Sequence, residues 1–180
     1  MGPIYLDNAA TSFPKPPAVA EAMAHYLNDV GASINRGVYA SAQSAGLTTL
    51  LLREALCGLF RHTEATHCIL TPGNTAGLNM AIRGQLGSGD HCLVSAMEHN
   101  AVMRPLQDLA KQGVLFDRIP CDSAGRMDPA DIIPLIRPNT KLLVMAHGSN
   151  VGGAVQDAAA VGRICRERGI PFVLDAAQTA

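Results

Sequence analysis

The spacing of apolar positions changes along this chain, and each change predicts an element. After the Pro14–Pro17 cluster, Val19, Met23, Tyr26 and Leu27 recur at helical intervals. Proline suits such a start because its missing N–H had no partner there. Gly31 to Ser44 carries no period and reads as an ordered loop. Leu47, Leu50, Leu51, Ala55, Leu56, Leu59 and Phe60 then trace one face of a strong helix. Beyond it, short apolar runs alternate with helical patterns. The runs predict strands at His67–Leu70, His91–Ser95, Val114–Ile119, Leu142–Ala146 and Ile170–Leu174. Helices are predicted at Thr75–Leu86, Ala101–Gln112, Pro129–Ile136 and Ala158–Arg168. Gly87–Asp90, Gln112-Gly113 and Arg168-Gly169 punctuate their ends. This alternation predicts an α/β fold of three layers, αβα, around a mostly parallel sheet.

Composition narrows the function classes. The chain has 180 residues, 48% of them apolar and 16% charged, enough to bury a core. A net charge of −1 with no basic cluster argues against nucleic acid as partner. No apolar run approaches the ~20 residues of a membrane span. The five cysteines show no C-x-x-C pair and sit largely in apolar runs, as reduced core residues do. The opening Met-Gly-Pro-Ile-Tyr-Leu-Asp lacks the basic and apolar segments of a secretion signal, so the cytoplasm is the expected location. The histidines lack spacings such as H-E-x-x-H, and no metal is expected.

Residues that follow parallel strands meet at one edge of the sheet, where ligands bind. Here those segments are Thr71-Pro-Gly-Asn74-Thr75, Met97-Glu-His99-Asn100, His147-Gly-Ser-Asn150, and Asp175 with Gln178. The turns that precede the strands are plainer. Free N–H groups at the start of a helix at Asn74–Thr75 suit an anion. Taken singly, Asn74–Thr75 also reads as a plain helix start, Asp175 as a cap and His99 as a surface histidine. The usual nucleotide glycine loops are absent. Taken together, an anion cradle, a flat imidazole, amides and a carboxylate suit a phosphorylated pyridine, whose ring nitrogen a carboxylate keeps protonated.

With these residues in place, the chain resembles the class V aminotransferase-like, pyridoxal-phosphate-dependent enzymes, in particular the cysteine desulfurase and selenocysteine lyase group. The matching stretches are Tyr5–Thr11, Arg36-Gly-Val38, Thr71–Asn79, Met97–Ala101, His147–Asn150 and Leu174–Gln178, in family order along nearly the whole chain. The resemblance implies the large domain of fold type I, with residues 1–20 as an edge or small-domain segment and 21–180 as an incomplete cofactor-binding domain. It implies pyridoxal 5'-phosphate as cofactor, with Asn74 and Thr75 at the phosphate. His99 would stack on the ring and act in proton transfer, Asn150 and Gln178 would lie near the ring hydroxyl, and Asp175 at the ring nitrogen. It further implies an amino-acid substrate (L-cysteine first), a homodimer and a sulfur-acceptor protein.

The chain departs from the family in having Ala76 where Glu is usual and Tyr39 where His often stands. The lysine that would carry the cofactor, the sulfur-accepting cysteine and the arginine for the substrate carboxylate are expected beyond residue 180. Lys15, Lys111 and Lys141 fall in a proline turn, at the end of a surface helix and at the opening of a strand, away from the expected site. The expectation is therefore an N-terminal part of a longer enzyme. The alternatives are another class V aminotransferase or lyase, and a truncated non-catalytic homologue.

Overall fold

The computed structural model describes residues 4–180. The chain divides into two compact units, Met1–Leu70 and Thr71–Ala180.

The first unit is helical. Pro17 opens α1 (Pro17–His25), which runs into a π-helical turn, Tyr26–Val30. Gly31 closes that turn at φ 50°, a left-handed conformation that glycine adopts without cost. Helix α2 spans Ala40–Leu59, so the last third of the segment expected as a loop is helical. Its small residues explain the missed signal. Ala42 and Ala45 are buried against Ala32 and Val30, and alanines leave almost no apolar period in a sequence. The face drawn through Leu47, Leu50, Leu51, Leu59 and Phe60 is exposed, while Ala42, Ala45 and Cys57 are buried. The strand expected at His67–Leu70 does not form. A 3-10 turn, Ala65–His67, takes up its backbone through bonds from His67 N–H to Glu64 and from Cys68 N–H to Ala65. His62 Nε2 and His67 Nδ1 lie 2.9 Å apart across that turn.

The second unit is built on a parallel sheet in the order β2-β1-β3-β4. Its strands are β1 (His91–Ser95), β2 (Leu115–Ile119), β3 (Thr140–Ala146) and β4 (Phe172–Asp175). Each begins or ends within two residues of the run that predicted it. Helices α3 (Asn74–Gln85), α4 (Asn100–Ala110) and α5 (Ala158–Arg168) also follow their patterns. Pro129–Leu135 winds as a 3-10 helix rather than the α-helix expected; Pro134 inside it removes an α-helical donor. Gly169, at φ 65°, ends α5 and lets Ile170 N–H bond back to Cys165.

The strands β1 and β3 are buried on both faces, as inner parallel strands must be. Cys92, Val94, Leu142 and Val144 face α3 and α4, packing on Leu78, Ile82, Val102 and Leu106. Leu93, Leu143 and Met145 face the other way, onto Ile132, Val161 and Cys165. These two cores make the three αβα layers. The chain leaves β1 for β2 on one side, then returns past β1 to β3 on the other. The winding therefore reverses between β1 and β3, and a crevice opens at their carboxyl ends.

Candidate functional site

Everything the sequence assigned to chemistry after residue 71 lies around that crevice. Asp175 is the last residue of β4, is only 7% exposed, and is paired in register with Ala146 at the end of β3. Its Oδ1 accepts from Asn74 Nδ2 at 2.8 Å and from Ala177 N–H at 3.1 Å. Asn74 thus reaches across 101 residues of sequence to hold the carboxylate. That bond occupies one of the two N–H donors of the Asn74 amide, and the backbone N–H groups and Thr75 add to the anion-binding capacity of this loop. Gly73 is the N-cap of α3 and offers no side-chain cap. The N–H groups of Asn74 and Thr75, the first residues of α3, have no partner within the helix. Thr75 is exposed at the same place.

His99 is the N-cap of α4. Its Nδ1 accepts from Ala101 N–H at 3.0 Å. This bond fixes the ring and, in the neutral imidazole, puts the proton on Nε2. Thr75 and His99 line one cleft of about 240 Å³ between the starts of α3 and α4, together with Arg104.

The loops after β3 and β4 are clipped to each other. His147 Nδ1 lies 2.9 Å from Thr179 Oγ1, and His147 N–H donates to the Asp175 carbonyl. Gly148 is crossed so closely that a Cβ there would stand 2.8 Å from Thr179 Cγ2. Gln178 sits in this turn, and Asn150 is exposed two residues past Gly148. The structure therefore joins Asn74 to Asp175 directly, Thr75 to His99 through a cleft, and the loop of Asn150 to the turn of Gln178.

One residue of the crevice was missed: Glu98. Its Oε1 accepts from Ser95 Oγ at 2.5 Å and from Ala146 N–H at 2.8 Å, bridging the ends of β1 and β3. Its Oε2 is buried with no hydrogen-bond partner. Burial, reinforced by the negative charge of Asp175, pushes its pKa up to about 7. The available signal was an acid wedged between Met97 and His99, three residues past a strand with an apolar centre.

Chemically, the crevice offers a buried carboxylate for a positive nitrogen, an oriented imidazole for a flat ring, and a helix start for an anion. The chain matches the aminotransferase class-V description over residues 4–180. It belongs to that family. It is 34% identical to the cysteine desulfurase IscS of Vibrio cholerae over 187 aligned positions, which cover 99% of this chain and 45% of that protein. The apo cysteine desulfurase of Thermococcus onnurineus superposes with a TM-score of 0.86 at 29% identity, covering 95% of this chain and 43% of the other. SspA in complex with cysteine gives 0.89 at 27% identity, over 97% and 51%. The chain thus spans about half the length, or less, of the class-V relatives it matches. The α/β fold read from the sequence is the fold of these enzymes. Among the described residues no helix is long and apolar enough to cross a membrane.

Proposed function

We propose that this chain is the cofactor-binding part of a pyridoxal-phosphate-dependent cysteine desulfurase. The observation that carries the reading is the Asn74–Asp175 bond: it holds a buried carboxylate at the carboxyl end of the sheet, beside a helix start that suits an anion. A phosphorylated pyridine has complementary chemistry at both ends. When bound, pyridoxal phosphate supplies an electron-withdrawing protonated ring to an attached amino acid.

In this reading Asp175 holds the proton at the ring nitrogen, and Asn74 keeps Asp175 aimed. The N–H groups at Asn74 and Thr75, with the Thr75 hydroxyl, bind the phosphate. His99, fixed through Nδ1, lies against the ring and offers Nε2 for proton transfer. Asn150 and Gln178 orient the ring hydroxyl. The whole protein would take L-cysteine, release L-alanine, and leave the sulfur on an enzyme cysteine for a sulfur-acceptor protein. Residues 1–20 would form an edge or small-domain segment and 21–180 most of the large domain of a cytoplasmic homodimer. Free thiols at Cys57, Cys68, Cys92, Cys121 and Cys165 are consistent with a reducing compartment.

The test uses the whole protein with pyridoxal 5'-phosphate. Borohydride reduction should add one reduced cofactor per chain by intact mass, and L-cysteine should yield L-alanine. A protein that takes no adduct and releases no alanine would sink the reading; an adduct with transamination products instead would move it elsewhere in the family.

A further inference from the structure

Glu98 is a half-buried residue with a buried carboxyl oxygen and no counter-ion. No arginine, lysine or histidine pairs with it among the described residues. The Ser95 hydroxyl and the Ala146 N–H both go to the same oxygen, Oε1. Its other oxygen is buried and unpartnered. A carboxylate in that setting would leave half of its charge uncompensated, and Asp175 adds a second acid to the same rim. The negative charge of Asp175, from the end of β4, opposes the ionisation of Glu98; the Cys92 thiol, from β1, is pushed up to about 12 by burial and by Glu98 and stays neutral where Glu98 titrates. Asp175 differs in one respect: its Oδ1 takes an amide and a backbone N–H, and neither of its oxygens is buried without a partner.

We propose that Glu98 is a positioning residue that works as the neutral acid: it ties the carboxyl end of β1 to that of β3 and leaves Asp175 to carry the negative charge of the crevice. Ser95, Ala146 and Asp175 are the last residues of β1, β3 and β4, so one side chain acts on three strand ends. The division of labour between two nearby acids follows from their surroundings. A Glu98 that lost its proton would put an uncompensated charge at the point where the sheet winding reverses. The upward displacement of its pKa agrees with this geometry.

The test compares wild type, Glu98→Gln, Glu98→Ala and Asp175→Asn in the whole, cofactor-free protein. Glutamine reproduces the neutral acid and keeps the oxygen that Ser95 and Ala146 use. Between pH 5.5 and 8.5 the wild type should lose stability relative to Glu98→Gln, by about thirtyfold in the unfolding equilibrium constant. Asp175→Asn should shrink that loss. Glu98→Ala should be less stable than Glu98→Gln at both ends. Parallel profiles for wild type and Glu98→Gln would overturn the proposal, as would Glu98→Gln being as unstable as Glu98→Ala at pH 5.5. A second readout rests on the cofactor reading above: the visible band of bound pyridoxal phosphate should match wild type in Glu98→Gln at pH 6 and be displaced or weakened in Glu98→Ala. A band unaffected by either change would remove the link to the crevice. No band in the wild type would remove the cofactor reading, while the stability profiles still decide the role of Glu98.

Discussion

The sheet carries a partly buried ionisable cluster at each edge, and the two are built on opposite plans. At the amino edge His91 opens β1 and is fully buried. Its Nδ1 lies 2.8 Å from Thr140 Oγ1, which also accepts from Arg137 N–H at 2.8 Å. Its Nε2 lies 3.3 Å from Asp117 Oδ2, close enough for attraction but not aligned as a hydrogen bond, and Asp117 is paired with Arg137. Strands β1, β2 and β3 are thereby laced together by groups that answer one another. At the carboxyl edge Glu98 and Asp175 are both acids, and no base among the described residues answers them. A network of opposite charges stabilises a fold; one of like charges keeps capacity for a ligand.

If that contrast holds, mutations at the two edges should separate activity from stability. The largest effect is expected at Asp175. Asp175→Asn keeps an oxygen for Asn74 Nδ2 and Ala177 N–H but removes the charge, so turnover of the whole protein should fall by about 10²- to 10³-fold with little change in unfolding temperature. Thr140→Val is the converse. It strips a partner from buried His91 and from Arg137 N–H and should cost about 1–3 kcal/mol of stability, with cofactor affinity unchanged. Steady-state kinetics alongside thermal unfolding reads both. Turnover retained in Asp175→Asn would move the crevice to the structural side of the comparison.

Gly148→Ala gives a smaller effect that sharpens the picture of the open edge. The added methyl must displace Thr179 and with it the turn that holds Gln178. A cost of about 1–3 kcal/mol is expected for such overpacking, together with weaker retention of pyridoxal phosphate in a fluorescence titration. Unaltered retention would mean that the loops of β3 and β4 serve the crevice independently.

Much of this edge was legible in the sequence because its parts announce themselves locally. The strands β1, β3 and β4 are near-continuous apolar runs, and polar residues follow each at once, so the positions of His99, Asn150 and Asp175 could be read off. The Thr71–Thr75 loop was placed on the rim for an incomplete reason: the strand inferred before it does not form, yet the loop still leads into α3 and reaches Asp175. What local pattern does not encode is pairing over distance. Glu98 owes its meaning to Ala146, 48 residues on, and Asn74 to Asp175. The network at the other edge was hidden for the same reason, because His91 looks like any polar residue opening a strand until Thr140 and Asp117 are placed beside it.

The finest separation of the two edges is their opposite response to pH. Burial, with the nearby positive charge of Arg137, holds the pKa of His91 below its ordinary value, although Asp117 pulls the other way. The unfolded chain therefore takes up that proton first. The contribution of His91 to stability is complete above about pH 6.5 and is lost as the pH falls below it. Glu98 runs in reverse. Its folded pKa of about 7 lies above the unfolded value, so its contribution is complete below about pH 4.5 and is lost as the pH rises through 7. Between about pH 5 and 6.5 the two slopes oppose each other, each bounded by about 1.4 kcal/mol per pH unit. Difference curves against wild type isolate them, since all other titrating groups are shared. Glu98→Gln should gain on wild type as the pH rises, and His91→Gln should gain on wild type as the pH falls. Difference curves of the same sign would show that the two edges do not differ in the way their geometry requires.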